Sequence, residues 1–113
     1  IDSTIATNIM ACDYALGNVF FKATAPTANF TAAVTNMPTD NGKTMSISIV
    51  VTQGATGYIP SAMTIEGVST TIKWGNGVTP TPTSGVGKID IFSFTFIRRG
   101  DAWTVLGSAV GNF

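Results

Sequence analysis

The chain has 113 residues, a length that suits one domain with one hydrophobic core. Six Lys and Arg balance six Asp and Glu, and charged residues make up 11% of the sequence, against about 25% in typical globular domains. This pattern offers no basic patch for nucleic acid, and no apolar run reaches the roughly 18 residues that membrane insertion by a helix needs. A hydrophobic fraction of 44% argues against disorder.

Cys12 is the only cysteine, so no intrachain disulfide can form, and we expect it to be a small buried hydrophobe. The chain begins at Ile1 and not at Met, and its first residues lack the regions of a signal peptide. We therefore expect residues 1–113 to be a single domain that is a fragment of, or a module within, a longer protein.

Apolar residues alternate with period two along most of the chain, which predicts strands. In the first half, Asn18–Thr24 and Asn29–Thr35 are two short predicted strands separated by a proline turn, and they could form a hairpin. A turn at Asn41-Gly42 leads into the clearest half-buried strand, Met45–Val51. Val50 alone interrupts the polar face of that strand.

The second half contains further strands. Pro60 disfavours an interior place in a sheet, so the strand over Met63–Val68 is expected to begin beyond it or to lie at an edge. Thr70–Trp74 is a short strand, and the long strand Lys88–Arg98 forms a final hairpin with Ala102–Leu106. Seven or eight short strands with Gly, Pro and Asn turns predict an all-β fold, an antiparallel β-sandwich or jelly-roll-like module.

The long strand has apolar residues on both sides of its pleat, because period two places Phe92, Phe94 and Phe96 on one side and Ile89, Ile91 and Ile97 on the other. A chain this short has little material with which to cover a second apolar face. We therefore expect identical chains to supply the cover in a homo-oligomer. The predicted core or oligomer residues are Val50, Ile89, Ile91, Phe92, Phe94 and Phe96.

Residues for catalysis are largely missing from the sequence. There is no histidine, which excludes Ser-His-Asp and Cys-His nucleophile systems and His-containing zinc sites. The acidic residues are scattered and form no calcium-loop pattern: Asp2, Asp13, Asp40, Glu66, Asp90 and Asp101. We predict no catalytic residue, no metal site and no cofactor, although two of these acids converging on one cleft would suit glycoside hydrolysis.

A candidate ligand-contact loop combines aromatic, amide and hydroxyl groups, which suit a flat polar ligand such as a sugar. The alternative for its tryptophan is that it caps the core. The candidate residues are Tyr58, Trp74, Asn76, Thr79 and Thr81. Arg99-Gly100-Asp101 matches a cell-adhesion tripeptide, but Gly-Asp is also what a hairpin turn between two apolar strands needs.

An ordered series of elements carries a family resemblance over most of the chain, from Asn29 to the C-terminus. The elements are Asn29-Phe-Thr, Met45–Gln53, Ala55-Thr-Gly-Tyr-Ile-Pro60, Ile72-Lys-Trp-Gly75 with its Pro/Thr loop, Lys88-Ile-Asp-Ile-Phe-Ser-Phe and Trp103-Thr-Val-Leu-Gly107. This series resembles a β-domain of tail-fibre and other virion proteins of marine and cyanobacterial bacteriophages.

The resemblance implies a location in the virion, at the tail or head surface, and no enzyme activity. It implies a symmetric assembly, commonly a homotrimer, with other virion proteins and a host envelope glycan or protein as further partners. Three functions stay open: a tail-fibre or host-attachment module, a capsid decoration or head-fibre protein that stabilises the head, and a polysaccharide depolymerase domain.

Overall fold

The computed structural model describes residues 4–113 and shows an all-β chain. Asp2 lies outside the described residues. The strands are β1 (Ile5–Ala6), β2 (Ile9–Asp13), β3 (Val19–Lys22), β4 (Phe30–Thr35), β5 (Lys43–Thr52), β6 (Pro60–Ile65), β7 (Val68–Thr70), β8 (Ile72–Trp74), β9 (Ile89–Arg99) and β10 (Ala102–Val110). Two 3-10 turns, Tyr14–Leu16 and Gly75–Gly77, are the helical segments of the described chain, and neither has the length to cross a membrane.

The strands form two five-stranded sheets that share one core. Sheet I has the order β1-β2-β4-β6-β7, and sheet II has the order β3-β5-β9-β10-β8. Alternate residues of the strands in both sheets point into a single buried cluster, as the period-two pattern requires. Its largest fully buried side chains include Phe30 from sheet I and Phe92, Phe94 and Phe96 from sheet II.

The prediction of antiparallel pairing is wrong for four of the eight strand pairs among the described residues. The pairs β2 with β4, β4 with β6, β3 with β5, and β8 with β10 are parallel. For the first three pairs the cause is the path of the chain, which alternates between the sheets from β2 to β6, so that each return to a sheet runs in the same direction as before. For the same reason β3 and β4 lie in different sheets and do not form the hairpin expected from their sequence.

Three boundaries also differ from the sequence prediction. The strand predicted over Met63–Val68 ends at Ile65, because Glu66 and Gly67 have positive φ and form the turn to β7. Pro60 begins β6, and β6 lies inside sheet I between β4 and β7. The proline is tolerated because it is the first residue of the strand, where the register with β4 shifts and the Phe30 N–H donates instead to the carbonyl of Ile59. The strand predicted over Thr70–Trp74 is divided at Thr71, where the chain crosses from sheet I to sheet II.

The final hairpin is confirmed. Arg99 pairs with Ala102, and Gly100 and Asp101 form its two-residue turn, both with φ near +60°. A turn with positive φ at both central residues matches the twist of the flanking strands. The turn therefore accounts for Arg99-Gly100-Asp101 in structural terms.

Candidate functional site

The outward face of sheet II carries a row of four apolar side chains that crosses the strands. Phe21 pairs with Val50, Val50 with Ile91, and Ile91 with Val110, so that β3, β5, β9 and β10 each contribute one residue. We call these four residues the transverse row. Phe21 is 49% exposed and Val110 is 59% exposed, while Val50 and Ile91 between them are half-buried.

The structure divides the predicted core or oligomer residues between two faces. Phe92, Phe94 and Phe96 point into the core, whereas Ile89, Ile91 and Val50 are half-buried on the outward face. Serine and threonine occupy most neighbouring positions on that face, including the Ser48–Ser93–Ser108 row beside the transverse row. The strand centres of this face are therefore uncharged.

The candidate ligand loop is brought together only in part. Trp74 is half-buried on β8 and packs on the core, with its ring centroid 5.6 Å from that of Phe94. Asn76 is exposed in the following turn with φ +58°, and it shares an open cleft of about 230 Å³ with Trp74. Thr79 lines a second groove beside Trp74, of about 430 Å³. These three residues form one accessible area.

Thr81 and Tyr58 lie elsewhere. Thr81 lines a separate cleft of about 350 Å³ that also contains Asp90. The backbone of Tyr58 is bonded on both sides by the Gln53 side chain: the Tyr58 N–H donates to Oε1 at 3.1 Å, and its carbonyl accepts from Nε2 at 2.8 Å. The loop of Tyr58 instead contacts the far end of the Thr/Pro run, where Gly57 lies so close to the Thr83 carbonyl that a Cβ at this position would overlap the carbonyl oxygen.

Asp90 organises this end of the molecule. Its buried carboxylate accepts bonds from the Thr83 N–H (2.8 Å), the Thr83 hydroxyl (2.7 Å), Gln53 Nε2 (3.0 Å) and the Asn112 N–H (3.1 Å). Burial alone would raise the pKa of Asp90, but these hydrogen bonds outweigh burial and hold the pKa below its ordinary 3.8. The carboxylate is thus ionised and accepts four hydrogen bonds. It holds three chain segments together and is a poor general acid.

Asp90 is not among the site residues predicted from the sequence, although the sequence carries a signal for its burial. Period two places Asp90 on the same side of the strand as Phe92 and Phe94, so the sequence predicts a core-facing carboxylate.

Among residues 4–113, no three His, Cys, Asp or Glu side chains come together in a way that could hold a metal ion.

Comparisons with known proteins found no match to a protein-family model, to a curated protein or to a solved structure.

Proposed function

We propose that the chain is a structural module of a bacteriophage virion, in a tail fibre or host-attachment protein, and that it assembles as a symmetric homo-oligomer. The resemblance in sequence motivates the virion and the trimeric order. The observation that carries the assembly is the transverse row, because four apolar side chains from four strands, on a face whose strand centres are uncharged, suit burial against another apolar surface. A β-sandwich or jelly-roll-like arrangement is part of the proposal, supported by the core that both sheets share.

The assembly is tested by sedimentation of the purified chain at micromolar concentration. We expect a trimer for the unsubstituted chain and a folded monomer for Ile91→Lys, because a lysine in the transverse row would have to be desolvated at the interface. Ala11→Lys is the control, since Ala11 is exposed on a strand of the other sheet. A monomeric unsubstituted chain contradicts the proposal. Phe94→Asp is unsuitable here, because Phe94 is in the core and its loss would unfold the chain.

The location in the virion is tested by imaging particles labelled with an antibody against this chain. Signal at the tail tips supports the tail-fibre role. Signal over the whole head would assign the chain to the capsid-decoration role, and absence from purified particles would contradict both.

Host contact at the Trp74 area is tested by adsorption of phage or purified oligomer to host cells. We expect the double substitution Asn76→Ala with Thr79→Ala to weaken adsorption, since both residues border Trp74. Thr81→Ala is the matched control, because Thr81 lies in the same run but in a different cleft. Equal adsorption by all variants would mean that the loop has a structural role only.

Glu66 and Asp101 line the same groove, which is the one observation that favours the depolymerase alternative. Release of reducing sugar from host polysaccharide by the purified chain, abolished by Glu66→Gln, would support that alternative.

A further inference from the structure

A groove lies between the edge of sheet I and the first residues of β10. Its cause is the short β8, which pairs with β10 only from Val105 to Gly107. Ala102, Trp103 and Thr104 therefore have no neighbouring strand on that side among the described residues. The groove has a volume of about 640 Å³, within the range of about 300 to 1,000 Å³ common for ligand pockets.

Trp103 and Arg98 form one wall of the groove as a cross-strand pair. The guanidinium carbon of Arg98 lies 5.1 Å from the Trp103 ring centroid, and Trp103 meets Phe96 edge-to-face at 6.4 Å. Nε of Arg98 is buried and has no hydrogen-bond acceptor within residues 4–113. A buried donor without an acceptor costs free energy, and such groups call for an explanation in a native structure.

The charges of the groove balance. Arg98 and Lys73 are opposed by Glu66 and Asp101. Glu66 Oε1 accepts the Asn36 N–H at 2.5 Å, and Asp101 Oδ1 accepts from Asn41 Nδ2 at 2.9 Å, which fixes the orientation of both carboxylates. The groove thus presents charged donors and charged acceptors around a tryptophan, with Ser and Thr hydroxyls alongside.

This combination discriminates between classes of ligand. A polyanion gains no net attraction from this groove, because Arg98 and Lys73 would attract it while Glu66 and Asp101 repel it. An apolar peptide or lipid chain would remove water from four charged groups and offer no hydrogen bonds in place of those lost to water. A neutral molecule with many hydroxyl groups can bond to groups of both signs while its C–H surface contacts the apolar wall.

We propose that the groove between β7 and β10 binds a neutral saccharide, with Arg98, Glu66 and Asp101 bonding to its hydroxyl groups. Saccharide binding at this groove would specify the ligand of the proposed host-attachment role, and the host envelope as the source of the saccharide rests on that role. It adds a second contact area next to the Trp74 area, because the two grooves adjoin at the β7–β8 crossover and share Ser69, Thr70 and Thr71.

The chain has two tryptophans, so Trp74→Phe leaves Trp103 as the only tryptophan reporter. The probes are neutral trisaccharides of glucose, galactose, mannose and N-acetylglucosamine, with trigalacturonate as the anionic comparison, each up to about 10 mM, where a millimolar site is mostly filled. We expect a saturable change in Trp103 fluorescence with at least one neutral trisaccharide. Titration of the unsubstituted chain followed by sugar proton NMR gives the same result without a tryptophan substitution.

Arg98→Met tests the assigned residue, and Arg99→Met is the matched control, because Arg99 is the next residue and does not line the groove. We expect binding to weaken about tenfold with Arg98→Met, in line with the loss of a charged hydrogen bond, and to stay unchanged with Arg99→Met. Saturation by no neutral trisaccharide, tighter binding of trigalacturonate than of every neutral one, or equal binding by Arg98→Met would each overturn the proposal. If the chain is monomeric and still binds a trisaccharide, the proposed assembly is contradicted and the proposed saccharide site in the groove is supported.

Discussion

At the scale of single residues, Asp90 does the most to fix the loops at one end of the molecule. Its carboxylate joins the Thr/Pro run through Thr83, the loop after β5 through Gln53, and the C-terminal segment through Asn112. Hydrogen bonds to a charged group are worth roughly twice those between neutral groups. Loss of the charge should therefore loosen all three segments together.

We predict that Asp90→Asn lowers the free energy of unfolding by about 2 to 3 kcal/mol at pH 7, because an amide cannot accept all four donors. The folded pKa of Asp90 is lowered, so its contribution is complete above the unfolded pKa of about 3.9 and is lost as the pH falls through the folded value. Denaturant titrations from pH 7 to pH 2 should thus show a steeper loss below about pH 4 in the unsubstituted chain than in Asp90→Asn.

The control for that series is Asp40→Asn, since the Asp40 side chain is 68% exposed beside Lys43. Its pH profile should follow that of the unsubstituted chain. Identical profiles for Asp90→Asn and the unsubstituted chain would refute the role given to the carboxylate.

Cys12 is fully buried, which confirms its expected role as a small hydrophobe, and burial raises the pKa of its thiol to about 12. Because the thiolate is the reactive form, a thiol reagent at pH 8 should modify the native chain on the order of 10³-fold more slowly than the denatured chain. The measurement is the rate of reagent release with and without denaturant. Rapid modification of the native chain would show that β2 opens locally.

At the scale of elements, the contact between β8 and β10 depends on a glycine. A Cβ at Gly107 would lie 2.8 Å from the Trp74 ring and 3.0 Å from Ile72 Cγ2, so Gly107 permits the ring to lie against β10. We predict that Gly107→Ala displaces Trp74 and lowers the free energy of unfolding by about 1 to 3 kcal/mol. Ser108→Ala, on the outward face of the same strand, should change little. Unaltered tryptophan fluorescence and stability in Gly107→Ala would contradict this packing.

Most strands could be predicted because their pattern is local. Period two in Lys88–Arg98 was enough to place three Phe on one face, and the turn chemistry of Gly100 and Asp101 was enough to place the final hairpin. The partner of a strand is not a local property, which is why β3 and β4 were expected to pair and do not. The break at Thr71 carries no Gly or Pro signal, which is why the strand predicted over Thr70–Trp74 runs across it.

The candidate site was predictable to a lesser degree, because clefts are formed by residues distant in sequence. Trp74, Asn76 and Thr79 are near neighbours in the chain and are also near in space. Thr81 instead lines the cleft of Asp90, and the backbone of Tyr58 is bonded by Gln53. The transverse row needed the register of four strands. Only Val50 and Ile91 of that row stood out from the sequence.

At the scale of the whole molecule, nearly every strand pairs with a strand distant in sequence. Phe30 pairs with Pro60, and Lys43 pairs with Arg98. Closing such loops costs entropy before the contacts form, so we predict a single cooperative unfolding transition and folding of the isolated chain in about milliseconds to seconds. Stopped-flow tryptophan fluorescence measures this. Folding in microseconds, or separate transitions for the two sheets, would contradict one shared core.

The chain alternates between the two sheets, so each pair of successive strands, one in sheet I and one in sheet II, is a repeating unit that we call a circuit. The number of circuits is adjustable. One circuit, such as β2 followed by β3, adds a strand to each sheet and keeps the same direction as the next circuit, β4 followed by β5. Duplication of one circuit would therefore widen both sheets by a strand while the inward face stays inward and the β9–β10 hairpin is left intact. Duplication within the chain would therefore change the width of both sheets without requiring a new core.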